Sequence, residues 1–144
     1  MSEENEEIFG QWIERVWNQG DERIIDELLD ENVVADYPYN IEENPVYGRD
    51  GYKRFVRFVR GLFSGIRINI EQIASDENNK VIAFCTFAAN RRAVGATSLP
   101  TYTSVKTSGL CQMIFENGKI IQVWCNIDLF GTIEPEQNYR TGNC

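Results

Sequence analysis

The 144-residue chain contains no histidine. This absence excludes Ser-His and Cys-His nucleophile pairs, and it excludes every metal site that relies on imidazole. Any acid–base chemistry must therefore use Asp, Glu, Lys, Tyr or Cys side chains. The sequence also lacks a glycine-rich phosphate loop and metal-ligand spacing, so we expect neither a nucleotide cofactor nor a metal.

Positive charge is scarce as well. Lys and Arg number 14 against 22 Asp and Glu, and the formal net charge is −8. An acidic chain repels the phosphates of nucleic acids and of anionic membrane surfaces, so we expect neither as a partner. The basic run Lys53, Arg54, Arg57 and Arg60 is interpreted as the solvated face of a helix.

Long apolar runs and a secretory signal are also missing. No apolar stretch reaches the roughly 18 residues of a membrane-spanning helix. The first ten residues, MSEENEEIFG, are acidic where a signal peptide would be basic and apolar. We therefore expect a cytoplasmic protein in which Cys85, Cys111, Cys125 and Cys144 stay reduced. The first three lie in apolar segments without CxxC spacing, which predicts small core residues.

The first half of the chain shows helical periodicity. Apolar residues recur at helical spacing in residues 5–18, and a shorter helix follows at 24–29. Residues 33–37 are typical of a short strand, and 38–48 of a loop. Asp50 is predicted to cap a third helix, with the apolar stripe Phe55, Phe58, Val59 and Leu62.

From Gly65 onward the apolar period changes to two, which is typical of β-strands. Strands are predicted at 66–70, 81–89, about 101–115 and 120–128, with a hairpin turn at Asn117-Gly118. This order predicts an α+β fold: three N-terminal helices packed on a curved, mostly antiparallel sheet of four to six strands. One domain is expected over residues 1–144, with its core at about 6–131 and a tail at 132–144. Helices closing a curved sheet leave an internal pocket for a small molecule.

The last predicted strand ends on a carboxylate. The segment GKIIQVWCNID, residues 118–128, is nearly all apolar before Asp128. A carboxylate in an apolar pocket favours its protonated form, so it can take a proton from a carbon acid and return it. The other interpretation of Asp128 is a cap that accepts backbone amide hydrogen bonds where the strand stops.

Three segments resemble the SnoaL-like polyketide cyclases. They are WNQGD at 17–21 with IIDELL at 24–29, PVYGRDG at 45–51, and NGKII at 117–121 followed by Trp124 and Asp128. They occur in the family's order and span about residues 6–131. The resemblance implies the cone-shaped α+β fold of the nuclear transport factor 2 superfamily, which is usually dimeric.

The resemblance also implies roles for two carboxylates. In the cyclases, an Asp at the end of the last strand acts as acid and base in an intramolecular aldol closure, and Asp128 matches that position. Limonene epoxide hydrolases are similar in residues 40–50 and carry an Asp at the same place. Ketosteroid isomerases have a base just after the short first strand, which Asp36 resembles. The cyclase and isomerase classes imply no cofactor.

Other residues are candidates for contact with a ligand, and each also has an ordinary structural interpretation. Asp36 fits the start of a turn as well as a base at the pocket rim. The ligand-binding candidates are Trp17, Tyr37, Phe58, Leu62, Arg91, Met113, Trp124 and Asn126. Side chains along a strand alternate between the two faces of a sheet, and both alternating sets of the last strand are apolar. The sequence therefore leaves open which set faces the pocket. Because both faces need cover, we expect a homodimer through the sheet.

Two functions of different classes remain open. One is a cofactor-free cyclase or isomerase, in which Asp128 moves a proton on a small apolar carbonyl compound and Asp36 or a tyrosine assists. The other is a non-catalytic ligand-binding or dimerisation module, favoured by the missing histidine and by the uncharged segment 83–87 where epoxide hydrolases carry an Arg-x-Asp relay. A third, epoxide-hydrolase-like water addition, needs Asp128 with Asn126 or Tyr37 to hold a water.

Overall fold

The computed structural model describes residues 2–37, 45–94 and 100–128. The helical elements are α1 (Ser2–Gln11), its π-helical continuation Trp12–Asn18 (the π segment), α2 (Arg23–Leu28) and α3 (Gly48–Leu62). The strands are β1 (Leu29–Asp36), β2 (Val46–Tyr47), β3 (Phe63–Ser75), β4 (Lys80–Val94), β5 (Pro100–Glu116) and β6 (Lys119–Cys125). The three N-terminal helices and the four later strands predicted from the sequence are confirmed, but the last strand ends at Cys125 and not at Asp128 as predicted. The short β2 was not predicted, and residues 38–44 of the expected loop lie outside the described residues.

The described strands form one curved, open sheet in the order β2-β1-β6-β5-β4-β3. β3 to β6 pair antiparallel with their sequence neighbours, whereas β1 pairs parallel with β6. A parallel pair needs a crossover connection, and the chain between β1 and β6 includes α3 and the whole meander β3–β5. The predicted α+β fold with a mostly antiparallel sheet is therefore confirmed.

The two faces of the sheet differ in burial. On β6, Val123 and Cys125 are buried on the face that packs against the helices, which we call the inner face. Trp124 between them is half-buried on the opposite, outer face. Ile127, just beyond β6, is buried with the inner set. The structure thus decides the parity that the sequence left open: Val123, Cys125 and Ile127 face the core.

The third helix buries one stripe against the sheet. The fully or nearly buried side chains recur at positions i, i+3, i+4 and i+7: Tyr52, Phe55, Val56 and Val59. Phe58 and Leu62, which the sequence assigned to this stripe, are only partly buried at its edge. The opposite face of α3 is charged. No helix among the described residues is both long and apolar enough to cross a membrane.

The basic face of α3 contacts α2. Lys53 pairs with Asp26 at 2.9 Å, and Arg57 forms a two-pronged pair with Glu22 at 2.7 and 2.8 Å. These pairs are largely exposed, so solvent screens them and each contributes little to stability. They join the charged face of α3 to α2.

The π segment brings Trp12 and Trp17 to the same side of the first helix. In an α-helix, residues five apart differ by about 140° around the axis. π-helical hydrogen bonds join residues five apart, so these residues lie nearly above one another. The Gln19 amide donates to the Glu14 carbonyl at 3.0 Å in this pattern. Both tryptophans are therefore buried, with ring centroids 6.4 Å apart in an edge-to-face arrangement.

The end of β6 lies close over Gly109 of β5. A Cβ atom at Gly109 would come within 2.7 Å of Asn126 Oδ1 and within 3.0 Å of the Ile127 Cα. The Leu110 amide donates to Asn126 Oδ1 at 2.7 Å, and the Asn126 amide donates back to the Leu110 carbonyl at 3.0 Å. The missing side chain at Gly109 thus lets the segment after β6 turn across β5.

We expect Gly109→Ala to lower the free energy of unfolding by about 1–3 kcal/mol, because the added methyl group has to displace backbone as well as side-chain atoms. Gly61→Ala is the matched control: it lies in α3 with no atom within 4 Å of its added Cβ, and it should raise stability by up to about 1 kcal/mol. Urea unfolding of both variants measures the difference. Equal stability of the two variants would contradict the close packing described for Gly109.

Candidate functional site

The ends of β1 and β6 meet at one edge of the sheet. The two strands run parallel, with Asp36 opposite Trp124 in the register, so their carboxyl ends lie side by side. Tyr37 follows β1, and Asn126, Ile127 and Asp128 follow β6. We call these five residues, Asp36, Tyr37, Asn126, Ile127 and Asp128, the rim. Both carboxylates proposed from the sequence belong to it.

An apolar cavity lies between the inner face of the sheet and the π segment. Its volume is about 20 Å³, within about 370 Å³ of empty space that includes the solvent at its edge. A cavity of about 20 Å³ holds roughly one water molecule. The described lining residues carry no charge: Trp12, Ile13, Trp17, Tyr37, Ile68, Phe87, Cys111, Cys125 and Ile127. Two of them, Tyr37 and Ile127, are rim residues.

A buried hydrogen-bond network joins two lining residues, Trp17 and Tyr37, through Tyr52, which is not itself among the described lining residues. The Trp17 indole nitrogen donates to the Tyr52 hydroxyl at 3.2 Å, and the hydroxyls of Tyr52 and Tyr37 are hydrogen-bonded at 2.7 Å. Burial raises the pKa of both tyrosine hydroxyls well above their usual range. Both groups therefore stay neutral at physiological pH, and they act as hydrogen-bonding groups rather than as phenolates.

Trp12 is the exception among the polar groups of the cavity. Its side chain is 1% exposed, and its indole nitrogen has no hydrogen-bond partner among the described residues. An indole N–H can only donate, so this group requires an acceptor. A buried donor without a partner costs about 1–3 kcal/mol, which makes such groups rare in folded proteins.

Three cysteines lie side by side beneath the cavity. Cys85 on β4, Cys111 on β5 and Cys125 on β6 are buried free thiols, and Cys111 and Cys125 are direct cross-strand partners. Hydrogen bonding to Cys125 and Cys85, together with burial, raises the pKa of the Cys111 thiol. Cys111 therefore stays protonated and is a poor nucleophile. The prediction that these three cysteines are core residues is confirmed, their reduced state in the cell stays a prediction, and Cys144 lies outside the described residues.

The two predicted catalytic carboxylates occupy different positions at the rim. Asp128 is half-buried and directly follows Ile127, which lines the cavity. Asp36 is also half-buried, but it alternates with the cavity-lining Tyr37 and so lies on the outer-face side of β1. Neither carboxylate is among the described lining residues. Their catalytic roles stay predictions.

The predicted ligand-binding residues divide into three groups. Trp17 and Tyr37 line the cavity. Asn126 lies at the rim, where its side chain is hydrogen-bonded to the backbone of Leu110. The remaining residues lie away from the described lining: Phe58 and Leu62 at the edge of α3, Met113 in the core between β4 and β6, Trp124 on the outer face, and Arg91 opposite Phe63 in the β3–β4 pair.

Sequence reasoning missed most of the cavity wall. The inward parity of β6 would have given Cys125 and Ile127, but nothing in the sequence shows which parity is inward. Tyr52 could have been found, because it continues the helical spacing of Phe55 and Val59 towards the start of α3. Among the side chains that are described, no group of three or more acidic or cysteine residues is arranged to hold a metal ion.

One protein family matches most of the chain. Residues 7–134 match the SnoaL-like polyketide cyclase family. A polyketide cyclase candidate of Acidithiobacillus ferrooxidans is similar in structure, with TM-score 0.76 and 22% identity over 96% of this chain and 95% of that one. Bal32a, from a soil-derived mobile gene cassette, has TM-score 0.75 and 20% identity, covering 92% and 96% of the two chains. A SnoaL-like polyketide cyclase of Agrobacterium tumefaciens has TM-score 0.72 and 18% identity, covering 93% and 97%. At these identities the structural likeness shows the fold alone, and no curated protein matches the sequence.

We expect Tyr52→Phe to lower the free energy of unfolding by about 1–3 kcal/mol, because it leaves the buried Trp17 donor without its acceptor. Tyr47→Phe removes the same atom from a side chain that is 61% exposed, and it should change stability by less than about 0.5 kcal/mol. Urea unfolding at neutral pH compares the two variants. If Tyr52→Phe is as stable as Tyr47→Phe, the hydroxyl does not join the helices to the sheet.

Proposed function

Because the chain belongs to the SnoaL-like polyketide cyclase family, we propose that it binds a small, largely apolar carbonyl compound in the cavity and catalyses a cofactor-free cyclisation or isomerisation. One observation carries this proposal: a neutral, aromatic-rich cavity reaches the rim at Ile127, and the next residue is Asp128. Apolar walls with a few polar groups are typical of small-molecule sites.

The proposed step is a proton transfer at carbon. The Asp128 carboxylate takes a proton from the carbon next to the substrate carbonyl, which leaves an enolate. The enolate either attacks a second carbonyl of the same molecule, closing a ring, or is reprotonated at another carbon, giving an isomer. The proton taken by Asp128 returns to the product, so the enzyme ends in its starting state. Of the two assisting groups considered from the sequence, Asp36 or a tyrosine, we propose Tyr37, because Tyr37 lines the cavity whereas Asp36 lies on the outer-face side of β1.

A substrate larger than a few atoms requires the cavity to widen. The π segment, β3, β4, β5 and β6 contribute lining residues that are held in helical or strand hydrogen bonding. Ile127 lies just beyond the end of β6, so its side chain can be displaced without breaking the sheet, whereas displacing Tyr37 would break its hydrogen bond to Tyr52. We therefore propose that a substrate enters at the rim beside Ile127.

We expect the protein to accelerate deuterium uptake from D₂O at the α-carbon of small cyclic ketones, followed by ¹H NMR. Asp128→Asn should reduce the accelerated rate by about 10²-fold or more, while ketone affinity is retained, because only the proton acceptor is lost. Asp26→Asn, an exposed change on α2, is the control and should keep the full rate. Equal exchange rates for Asp128→Asn and the unaltered protein would reject the catalytic proposal.

The second candidate is a non-catalytic binding module with the same cavity. The described lining supports it, because none of those residues is a carboxylate or an amine that could move a proton in the interior. Binding of ketones without any acceleration of exchange would select this function. The cytoplasmic location expected from the sequence stays a prediction.

We further propose a homodimer through the outer face of the sheet. Ile82, Phe84 and Leu110 are 38–40% exposed there, and Phe84 is directly opposite Leu110 in the β4–β5 register. A second copy of this face would cover these apolar side chains, which a monomer leaves in water. The half-buried Trp124 lies on the same face.

We expect sedimentation at micromolar concentration to give twice the chain mass of 16.6 kDa. Phe84→Glu should shift the protein to the monomer, because a charge would be buried without a partner in the interface. Gly61→Glu is the control: it places the same charge on the exposed side of α3, away from the outer face of the sheet and with no atom within 4 Å of the added Cβ, and it should leave the dimer intact. A monomer for the unaltered chain would overturn this proposal.

A further inference from the structure

We infer that the Trp12 indole N–H is the polar anchor of the cavity, and that it selects neutral ligands carrying a hydrogen-bond acceptor such as a ketone oxygen. This inference rests on the proposed small-molecule function, and it names the chemistry of the ligand. It also assigns a binding role to a residue that the sequence did not single out as a site residue.

The other indole and hydroxyl groups of the cavity are already paired. Trp17 donates to Tyr52, and the hydroxyl of Tyr37 is hydrogen-bonded to that of Tyr52. Trp12 lines the same cavity, and its nitrogen has no partner among the described residues. A ligand acceptor can therefore satisfy this donor without breaking an existing hydrogen bond.

The cavity favours a ligand without charge. The described cavity wall contains no Lys, Arg, Asp or Glu side chain. A cationic ligand would lie in this apolar space without a carboxylate, and an anionic one without a cation, and both would lose their hydration. A neutral molecule loses far less. A carbonyl oxygen then gains the Trp12 hydrogen bond that the corresponding hydrocarbon cannot form.

Aromatic side chains surround the Trp12 indole. Trp12 packs edge-to-face against Phe9 at 5.7 Å and against Trp17 at 6.4 Å, and its ring is tilted against Tyr52 at 6.3 Å. Aromatic neighbours hold the indole from several sides and leave little freedom for its nitrogen to turn elsewhere. The donor is thus preorganised, so binding does not have to order it.

The test uses 1-indanone and indane, two flat bicyclic probes that differ by one carbonyl oxygen. The three tryptophan indole N–H signals of the ¹⁵N-labelled protein, assigned with Trp→Phe variants, report three environments. The Trp12 signal shows whether its N–H is hydrogen-bonded to the probe. The Trp17 signal, from a donor already paired with Tyr52, shows whether a probe occupies the cavity. The Trp124 signal, from the outer face, shows non-specific binding.

We expect 1-indanone to move the Trp12 indole proton downfield in a saturable manner and to leave Trp124 unchanged. Indane should perturb Trp17 and Trp12 without that downfield shift. Trp12→Phe should weaken 1-indanone about tenfold and change indane by less than about twofold, since only the ketone loses a hydrogen bond. Trp17→Phe is the matched control, and it should weaken both probes equally.

The outcomes that overturn the inference differ from the failure of the proposed function. If both probes perturb Trp17 but the Trp12 signal is the same with either probe, the cavity binds small molecules and Trp12 is not the anchor. If the Trp12 indole N–H is hydrogen-bonded to a bound water and 1-indanone does not displace that water, the donor is structural. If neither probe perturbs Trp12 or Trp17, the cavity binds neither, and the proposed function fails with the inference. Asp128→Asn should retain the Trp12-dependent discrimination, which separates binding from catalysis.

Discussion

The packing of the helices on the sheet depends on one buried hydroxyl group, that of Tyr52. It accepts the Trp17 hydrogen bond from the π segment and is hydrogen-bonded to Tyr37 at the end of β1. Three polar groups from three elements are thus removed from water together, and each is satisfied by another. Left unpaired, each would cost about 1–3 kcal/mol, so the pairing restricts how these elements can be oriented. The cavity is bounded by the side chains that this network holds in place.

The site at the rim depends on how β6 ends. Gly109 has no side chain, and the Leu110 amide donates to the side-chain oxygen of Asn126 instead of to a backbone carbonyl. β6 therefore stops pairing with β5 at this point, and the chain after β6 crosses over β5. Ile127 is directed into the cavity as a result, and Asp128 follows at its edge. The parallel pairing of β1 and β6 brings Asp36 to the same edge. Two carboxylates far apart in the sequence therefore share one end of the sheet.

The sequence predicted the elements that have strong local signals. The change of apolar period near Gly65 marked the start of the antiparallel strands β3–β6, and Asn117-Gly118 adopts the positive φ angles, 54° and 79°, of the predicted hairpin turn. The two-residue β2 was missed because a strand this short has no periodicity to read. The π segment was missed because its residues satisfy an α-helical pattern almost as well, although only the π form places Trp12 and Trp17 together.

By itself, the sequence determined the α+β class, the order of the elements, the absence of imidazole chemistry and the family resemblance that residues 7–134 confirm. These depend on composition and on contacts between near neighbours in the chain. Tertiary structure alone decided that Val123, Cys125 and Ile127 face inward and that the Trp12 donor, unlike that of Trp17, has no acceptor among the described residues. Both strand parities were apolar, and hydrogen-bond partners come from distant elements, so neither result could follow from periodicity.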